Sequence, residues 1–361
     1  MQKNASATDE TRYPTNELVL SMQAAWNKLK QQSSLYQPSS FWVKASSDIM
    51  NEVIKHGMEH FRALPLPLGY FVPTYGYPGN GISADTKKQL LGCVSNTFKC
   101  QTAIERYADG YDSALADYRV LQAADDTGKR PYLHHFSESG EGNPIEQFEF
   151  EGRLFSRSSL NYLLGLCLLK RHTDDKPIHT VVEVGGGFGS LGEILLKGAD
   201  PDIRYIDFDI PPNNAITQFY LSSIFGSDRV CGYECGKRSD HAFAIKQLPS
   251  ASVFCNWEIE KLQGSVDLFV NFISFQEMEP PIVKNYLSHV NRLKSRWILL
   301  RNMREGKQIA TPTSVGVKTP ILSEDYRQML PAYDLVERNI IPFGYKTVDG
   351  YNSELMLFKR K

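Results

Sequence analysis

The stretch Val181-Val182-Glu183-Val184-Gly185-Gly186-Gly187-Phe188-Gly189 combines an apolar strand, a carboxylate and a glycine-rich turn. The strand is apolar on both faces apart from Glu183, which is typical of a central parallel strand covered by helices. Helical spacing of apolar residues begins at Leu191. Glycines let a ligand approach the main chain, and the N–H groups that begin a helix favour a polar partner, so the unit predicts a nucleoside-bearing cofactor. The cofactor-binding candidates here are Glu183, Gly185, Gly186, Gly187 and Gly189.

A second strand is predicted at 204–210 and carries Asp209 at its carboxyl end. A carboxylate there can accept both ribose hydroxyls of a bound nucleoside, so Asp209 is a further cofactor-binding candidate. The turn at 187–192 also matches G-x-G-x-x-G, the fingerprint of dinucleotide binding, which keeps a nicotinamide-dependent oxidoreductase as an alternative. Glu183 argues against that alternative, because its negative charge would repel a pyrophosphate and would suit a sulfonium-bearing nucleoside.

Residues 183–189 followed by Phe208-Asp209-Ile210-Pro211 resemble class I S-adenosylmethionine (SAM)-dependent methyltransferases, especially small-molecule O-methyltransferases. The segments 208–226 and 272–278 are similar to those of a bacterial group assigned to sugar O-methylation. The resemblance covers roughly residues 150–361. It implies SAM as the methyl donor and a hydroxyl of a sugar or similar small polar metabolite as the acceptor.

Further strands are predicted at 252–257, 266–271 and 296–302, and the segments 333–341 and 354–358 form a predicted hairpin around Asp349-Gly350. The resemblance implies such an antiparallel ending, whereas a dinucleotide-binding half continues with parallel crossovers. We therefore predict an α/β fold: a Rossmann-like class I methyltransferase sheet with a C-terminal antiparallel hairpin, preceded by a mainly helical N-terminal domain.

That helical domain is predicted at 1–150, as a substrate lid or oligomerisation region, and the SAM-binding domain at 151–361. The predicted helices of the N-terminal domain cover 18–26, a segment from Ile49 to Phe61, and a segment after Ser83. Ser46 and Ser47 are the predicted N-caps of the second helix. The third helix is expected to turn Leu90, Leu91, Val94, Phe98 and Ile104 inward. The stretch 65–81 is too rich in proline and glycine for regular structure, and is either a substrate-facing loop or an aromatic packing segment.

The adenine pocket is predicted after the strand at 252–257. In class I methyltransferases the following loop borders the adenine, which makes Asn256 and Trp257 the candidates for binding the base. An indole offers a stacking face, and an amide offers hydrogen bonds to the exocyclic amine. Glu258 is the alternative for the polar role.

The reaction edge is predicted at 274–278, because ligands bind at the carboxyl ends of strands in open α/β sheets. Plant-type small-molecule O-methyltransferases carry a catalytic histidine in this stretch, and the matching residue here is Gln276, whose amide cannot remove a proton. Glu277 could serve as general base with a pKa raised by burial, its alternative role being to cap the next helix; His134 and His135 are the other candidates. An amine acceptor and a catalytically silent SAM-binding protein stay open as alternatives.

Charge and composition restrict the partners. The chain has 40 basic and 41 acidic residues and a formal charge of −1, which provides no electrostatic footprint for nucleic acid or an anionic membrane and favours a small-molecule substrate. The sequence shows neither a signal core nor a membrane-length apolar run, so a cytoplasmic protein is expected. Its six cysteines follow no disulfide or metal pattern, and no metal site is predicted. The sequence leaves open whether two chains pair as a homodimer.

Overall fold

The computed structural model describes residues 15–94, 98–173, 176–198, 202–237, 242–340, 342–344, 346–347 and 350–361. Its helices are α1 (Thr15–Leu29), α2 (Val43–His56), α3 (Pro65–Tyr70), α4 (Ala84–Cys93), α5 (Phe98–Ala108), α6 (Tyr111–Ala124), α7 (Arg157–His172), α8 (Ser190–Gly198), α9 (Asn213–Phe225), α10 (Tyr233–Lys237), α11 (Pro280–Arg292) and α12 (Ser323–Met329). Its strands are β1 (Phe148–Phe150), β2 (Arg153–Phe155), β3 (Thr180–Val184), β4 (Arg204–Asp209), β5 (Val230–Cys231), β6 (Phe243–Ala244), β7 (Ala251–Cys255), β8 (Leu262–Gln263), β9 (Leu268–Phe272), β10 (Trp297–Met303), β11 (Tyr333–Asn339) and β12 (Ser353–Arg360).

The central sheet has eight strands in the order β11-β12-β10-β9-β3-β4-β7-β5. The strands from β10 to β5 run parallel, so their carboxyl ends lie along one edge. Strand β3 lies inside the sheet, between β9 and β4, and each of its residues is buried, as its apolar sequence predicts. Strand β12 is antiparallel to both β10 and β11. The predicted α/β architecture with a C-terminal antiparallel pair is therefore confirmed, although Asp349 of the predicted turn lies outside the described residues.

The helical region confirms some predicted boundaries and corrects others. Ser83 caps α4, since its Oγ accepts a hydrogen bond from the Thr86 N–H at 3.0 Å. Ser46 is not an N-cap, because α2 already begins at Val43 and Ser46 lies on its buried face. The stretch 65–81, which was predicted to be irregular, contains α3. Its first residue is Pro65, and the missing N–H of a proline costs no helical hydrogen bond at that position.

The predicted inward face after Ser83 is also wrong. Leu90 is 40% exposed and Phe98 is 84% exposed, and the expected single helix is divided into α4 and α5. An amphipathic pattern shows which residues share a face of a helix. It does not show whether another element covers that face.

Residues before and after position 150 pack together in one apolar core. The Phe61 ring lies 5.5 Å from the Phe188 ring and 5.9 Å from the Tyr220 ring. A buried ion group, which we define as Arg62, Glu138 and Glu193, lies beside these rings. The Arg62 guanidinium is 3.1 Å from the Glu138 carboxylate, and Glu193 accepts hydrogen bonds from the Ser139 N–H and the Tyr220 hydroxyl. The division into domains at 150 stays a prediction.

Candidate active site

A cavity of about 470 Å³ lies at the carboxyl edge of the parallel strands. Its volume falls within the range of about 300–1,000 Å³ that is usual for small-molecule sites. The loops that follow β3, β4, β7, β9 and β10 all contribute to its wall, and residues from the N-terminal helical region cover it. The cavity is therefore where the sequence predicts cofactor and acceptor to meet.

The glycine turn after β3 forms one wall, with Gly185, Gly186 and Gly187 lining the cavity. Gly185 and Gly187 have φ angles of +73° and +66°, which favour glycine. A Cβ on Gly185 would lie 2.3 Å from the Ser274 hydroxyl oxygen, so no side chain fits there. Gly189 does not line the cavity but has φ of +93° where α8 begins. The turn thus exposes main chain to a ligand.

Glu183 lies beneath this turn and does not line the cavity. Its carboxylate accepts hydrogen bonds from the Tyr162 hydroxyl at 2.8 Å and the Tyr205 hydroxyl at 2.6 Å. Burial raises the pKa of Glu183 to about 7, although both hydroxyls lower it. Glu183 supports the turn from below, and direct contact with a cofactor stays a prediction.

Asp209 lines the cavity at the end of β4. Its carboxylate accepts hydrogen bonds from the N–H groups of Ile210 at 2.7 Å and Gly187 at 3.3 Å. Burial raises the pKa of Asp209 to about 7, and these N–H groups lower it. Asp207, which sequence analysis did not single out, accepts the Gly186 N–H at 3.1 Å, and burial raises its pKa. Asp207 and Asp209 are two positions apart along β4 and therefore share a face of the strand. This spacing could have identified Asp207 from the sequence.

We expect the ligand-free protein to lose stability as the pH rises from about 5 to about 8. In the folded chain the Glu183 pKa is about 7, against an ordinary value of 4.5. Between these values the folded chain holds more protons than the unfolded chain, so a higher pH favours unfolding, by up to about 3 kcal/mol for this carboxyl. Urea unfolding across this pH range should give a shallower dependence for Glu183→Gln than for wild type. Equal pH dependences for Glu183→Gln and wild type would contradict the assignment of this effect to Glu183.

Of the two residues predicted to bind adenine, Asn256 lines the cavity and Trp257 does not. The Asn256 amide nitrogen donates to the Tyr36 carbonyl and the Tyr286 hydroxyl, both at 2.9 Å. Its buried Oδ1 has no hydrogen-bond partner among the described residues, which leaves an acceptor for an exocyclic amine. Trp257 is buried and does not line the cavity, because β7 ends at Cys255 and a 3₁₀ helix begins at Asn256. The structure therefore does not bring Trp257 to the cavity, and its stacking role stays a prediction.

The predicted reaction edge follows β9. Ile273 has φ of +73°, an unfavourable angle for a β-branched residue that commonly marks a functional turn. Gln276 lines the cavity, and its Oε1 accepts the Met303 N–H at 2.7 Å. This bond leaves the Gln276 amide nitrogen as a hydrogen-bond donor for a ligand.

Glu277 lines the cavity beside two side chains that sequence analysis did not identify. Its Oε1 is 3.2 Å from the Lys307 ammonium, and its Oε2 accepts the Trp42 indole N–H at 3.0 Å. Burial raises the pKa of Glu277, while Lys307 and Trp42 lower it. Its carboxylate therefore bonds side chains of the cavity instead of capping α11, whose N-cap residue is Glu279. The predicted rise in pKa is borne out in direction.

His134 and His135 do not line the cavity. They lie in a 3₁₀ helix whose preceding residue, Tyr132, donates its N–H to the Gly198 carbonyl at the end of α8. Helix α8 begins at the glycine turn and spans about 13 Å, so its end lies away from the cavity. The structure therefore does not bring either histidine to the cavity, and a role as general base stays a prediction for both.

The stretch 65–81 borders the cavity, as the substrate-facing alternative predicted, and so does Trp42, which no motif indicated. The members of 65–81 in the wall are Leu68, Gly69, Tyr70, Phe71, Pro73, Pro78, Gly79 and Gly81.

Within the described ranges, no cluster of three or more His, Cys, Asp or Glu side chains could hold a metal ion. In the same part of the chain, the helices are too short or too polar to cross a bilayer.

No family model matches the chain, and no curated protein sequence matches it. The mitomycin 7-O-methyltransferase MmcR is a similar solved structure, with 11% identity and a TM-score of 0.37 over 97% of this chain and 76% of that chain. Magnesium protoporphyrin IX methyltransferase (ChlM) from Synechocystis PCC 6803, with bound S-adenosylhomocysteine (SAH), has 14% identity and a TM-score of 0.38 over 68% and 100%. The pyocyanin biosynthetic protein PhzM has 11% identity and a TM-score of 0.36 over 97% and 77%. Values this low do not establish what this chain does.

Proposed function

We propose that this chain is a SAM-dependent methyltransferase that acts on a hydroxyl of a sugar or similar small polar metabolite. One observation carries the proposal: a single cavity joins the glycine turn, Asp209 and Asn256 to a buried carboxylate, Glu277. The first three suit a nucleoside cofactor. The fourth suits an acceptor whose proton must be removed.

The residues present fit SAM. Asp209 offers carboxylate oxygens to the ribose hydroxyls, and the unpartnered Oδ1 of Asn256 offers an acceptor to the adenine amine. The Asn213 Oδ1, also buried in the cavity wall, has no hydrogen-bond partner in the described part of the chain. Such orphaned polar atoms are costly unless a ligand or water satisfies them. When bound, SAM supplies an electrophilic methyl group on a positively charged sulfur.

The chain itself supplies positioning and a base. The cavity wall restricts the acceptor to the reaction edge, and holding two reactants in line lowers the barrier to displacement at the methyl carbon. Glu277 would receive the proton of the acceptor hydroxyl as that oxygen takes the methyl group that bound SAM would supply. Burial suits Glu277 to this task, because a raised pKa makes a carboxylate a stronger base.

We expect Asp209→Asn to raise the dissociation constant for SAM about 10- to 100-fold, because hydrogen bonds to a charged group contribute about 1.5–3 kcal/mol. Calorimetric titration with SAM and SAH measures this change. Asp228→Asn, which changes an exposed carboxylate in the 3₁₀ turn after α9, is the matched control and should bind as wild type does. A wild-type protein that binds NAD and neither SAM nor SAH would refute the proposed function.

A further inference from the structure

Lys307 and Glu277 place a donor and an acceptor side by side in the cavity wall. The ammonium is 3.2 Å from the nearer carboxylate oxygen, and the two side chains are only 13% and 6% exposed. A lysine ammonium only donates hydrogen bonds, and an ionised carboxylate only accepts them. Removing both charges from water is costly, so a bare ion pair adds little stability by itself. The pair therefore offers a ligand a hydrogen-bond donor, Lys307, next to a hydrogen-bond acceptor, Glu277.

Further contacts hold both members of the pair in place. The Trp42 indole N–H fixes the other oxygen of Glu277 at 3.0 Å. The Lys307 ammonium lies 4.5 Å from the centroid of the Phe41 ring, a cation–π contact that orients it. Each carboxylate oxygen has more than one lone pair and the ammonium has three protons, so both retain capacity for a ligand.

Apolar surfaces lie next to the pair. The rings of Trp42 and Tyr70, 5.5 Å apart, both line the cavity, as do Met278 and Ile282. Trp42 serves both purposes, because its N–H bonds Glu277 and its ring forms part of the wall. A ligand whose polar edge forms hydrogen bonds with the ion pair would therefore pack its apolar face against aromatic and aliphatic side chains.

We propose that the methyl acceptor carries two hydroxyls on adjacent carbons of a ring, one donating to Glu277 and its neighbour accepting from Lys307. This inference rests on the proposed methyl transfer and names its substrate class, a ring-borne vicinal diol. Oxygens of adjacent hydroxyls can lie about as far apart as two hydrogen-bonded atoms, which matches the spacing of the ammonium and the carboxylate oxygen. A lone hydroxyl can bond only one of the two groups. Sugar rings and catechols share this chemistry.

The test compares matched acceptors with two adjacent hydroxyls or one: a methyl glycoside against its monodeoxy analogue, and catechol against phenol. Initial rates of methyl transfer give kcat/KM, and calorimetry of the SAH-loaded protein gives affinity without turnover. We expect wild type to favour the diol of the preferred pair about 10- to 100-fold. The pair that shows the preference identifies the source as sugar or catechol.

Lys307→Met should reduce that preference to near unity, mainly through KM, and leave SAM affinity unchanged. Lys307→Arg should retain part of it, because it keeps a cationic donor. Lys284→Met, an exposed lysine on α11 outside this cavity, is the matched control and should keep the full preference. Equal affinities and rates for diol and single hydroxyl in wild type would overturn the vicinal-diol inference and leave methyl transfer intact. Absence of SAM and SAH binding would overturn the proposed function instead.

Discussion

Glu277→Gln is expected to lower kcat about 10²- to 10⁴-fold, the usual contribution of a general base, while SAM affinity stays nearly intact. The amide keeps the size of the carboxyl group but cannot accept the hydroxyl proton. Glu277 lies at the reaction edge, whereas the proposed SAM contacts are Asp209 and Asn256. Single-turnover methyl transfer with calorimetric SAM binding measures the two effects separately.

The matched control is Glu17→Gln, which removes an exposed carboxylate from the first turn of α1 and should leave kcat unchanged. A base must be deprotonated, so wild-type kcat should fall as the pH is lowered through the Glu277 pKa, which burial raises. This limb should disappear in Glu277→Gln. Near-normal turnover in that variant would remove Glu277 as the base.

Arg62→Met is expected to destabilise the folded protein by about 3–5 kcal/mol, the usual effect of breaking a buried ion pair. Arg62 and Glu138 have side chains that are 1% and 0% exposed, so the variant would leave a carboxylate buried without its cation. It would also remove the guanidinium from above the Phe188 ring, which lies 5.0 Å away. Urea unfolding measures the loss as a lower midpoint.

Lys87→Met is the matched control for this loss. Its partner Asp109 lies at 2.6 Å, but the side chains are 31% and 54% exposed, so about 0–1 kcal/mol is expected. Adding Glu138→Gln to Arg62→Met should recover part of the stability, because it removes the unpaired buried charge. Equal, small losses for the buried and the exposed pair would contradict a stabilising role for the Arg62–Glu138 ion pair.

The cavity wall formed by the glycine turn, Asp209 and Asn256 could be predicted because its determinants are local. A strand, a glycine turn and a carboxylate at the end of the next strand are read from short segments, and parallel strands bring those ends to one edge. Asp209 and Asn256 therefore lie where the sequence placed them. Trp257 lies outside the cavity wall because the start of a 3₁₀ helix changes the direction of successive side chains.

The acceptor side depends on contacts that no local pattern encodes. Trp42 and Glu277 are 235 positions apart in the chain, and Lys307 follows β10 in a loop without a motif. His134 and His135 were candidates because they precede the predicted SAM-binding domain in sequence. Sequence order does not show at which edge of a sheet a connecting segment lies, and the structure places both histidines outside the cavity wall.

The segment between α1 and α2, residues 30–42, forms hydrogen bonds with two residues of the cavity wall, Asn256 and Glu277. The Tyr36 carbonyl accepts from Asn256 on the proposed adenine side, and Trp42 donates to Glu277 on the proposed acceptor side. Displacing this segment would disturb both contacts at once, which would couple the proposed cofactor and acceptor binding equilibria through one piece of chain. Linkage is reciprocal: if cofactor binding shifts acceptor affinity through this segment, acceptor binding must shift cofactor affinity by the same factor. The N-terminal region would then set the cooperativity between the two substrates as well as enclose them.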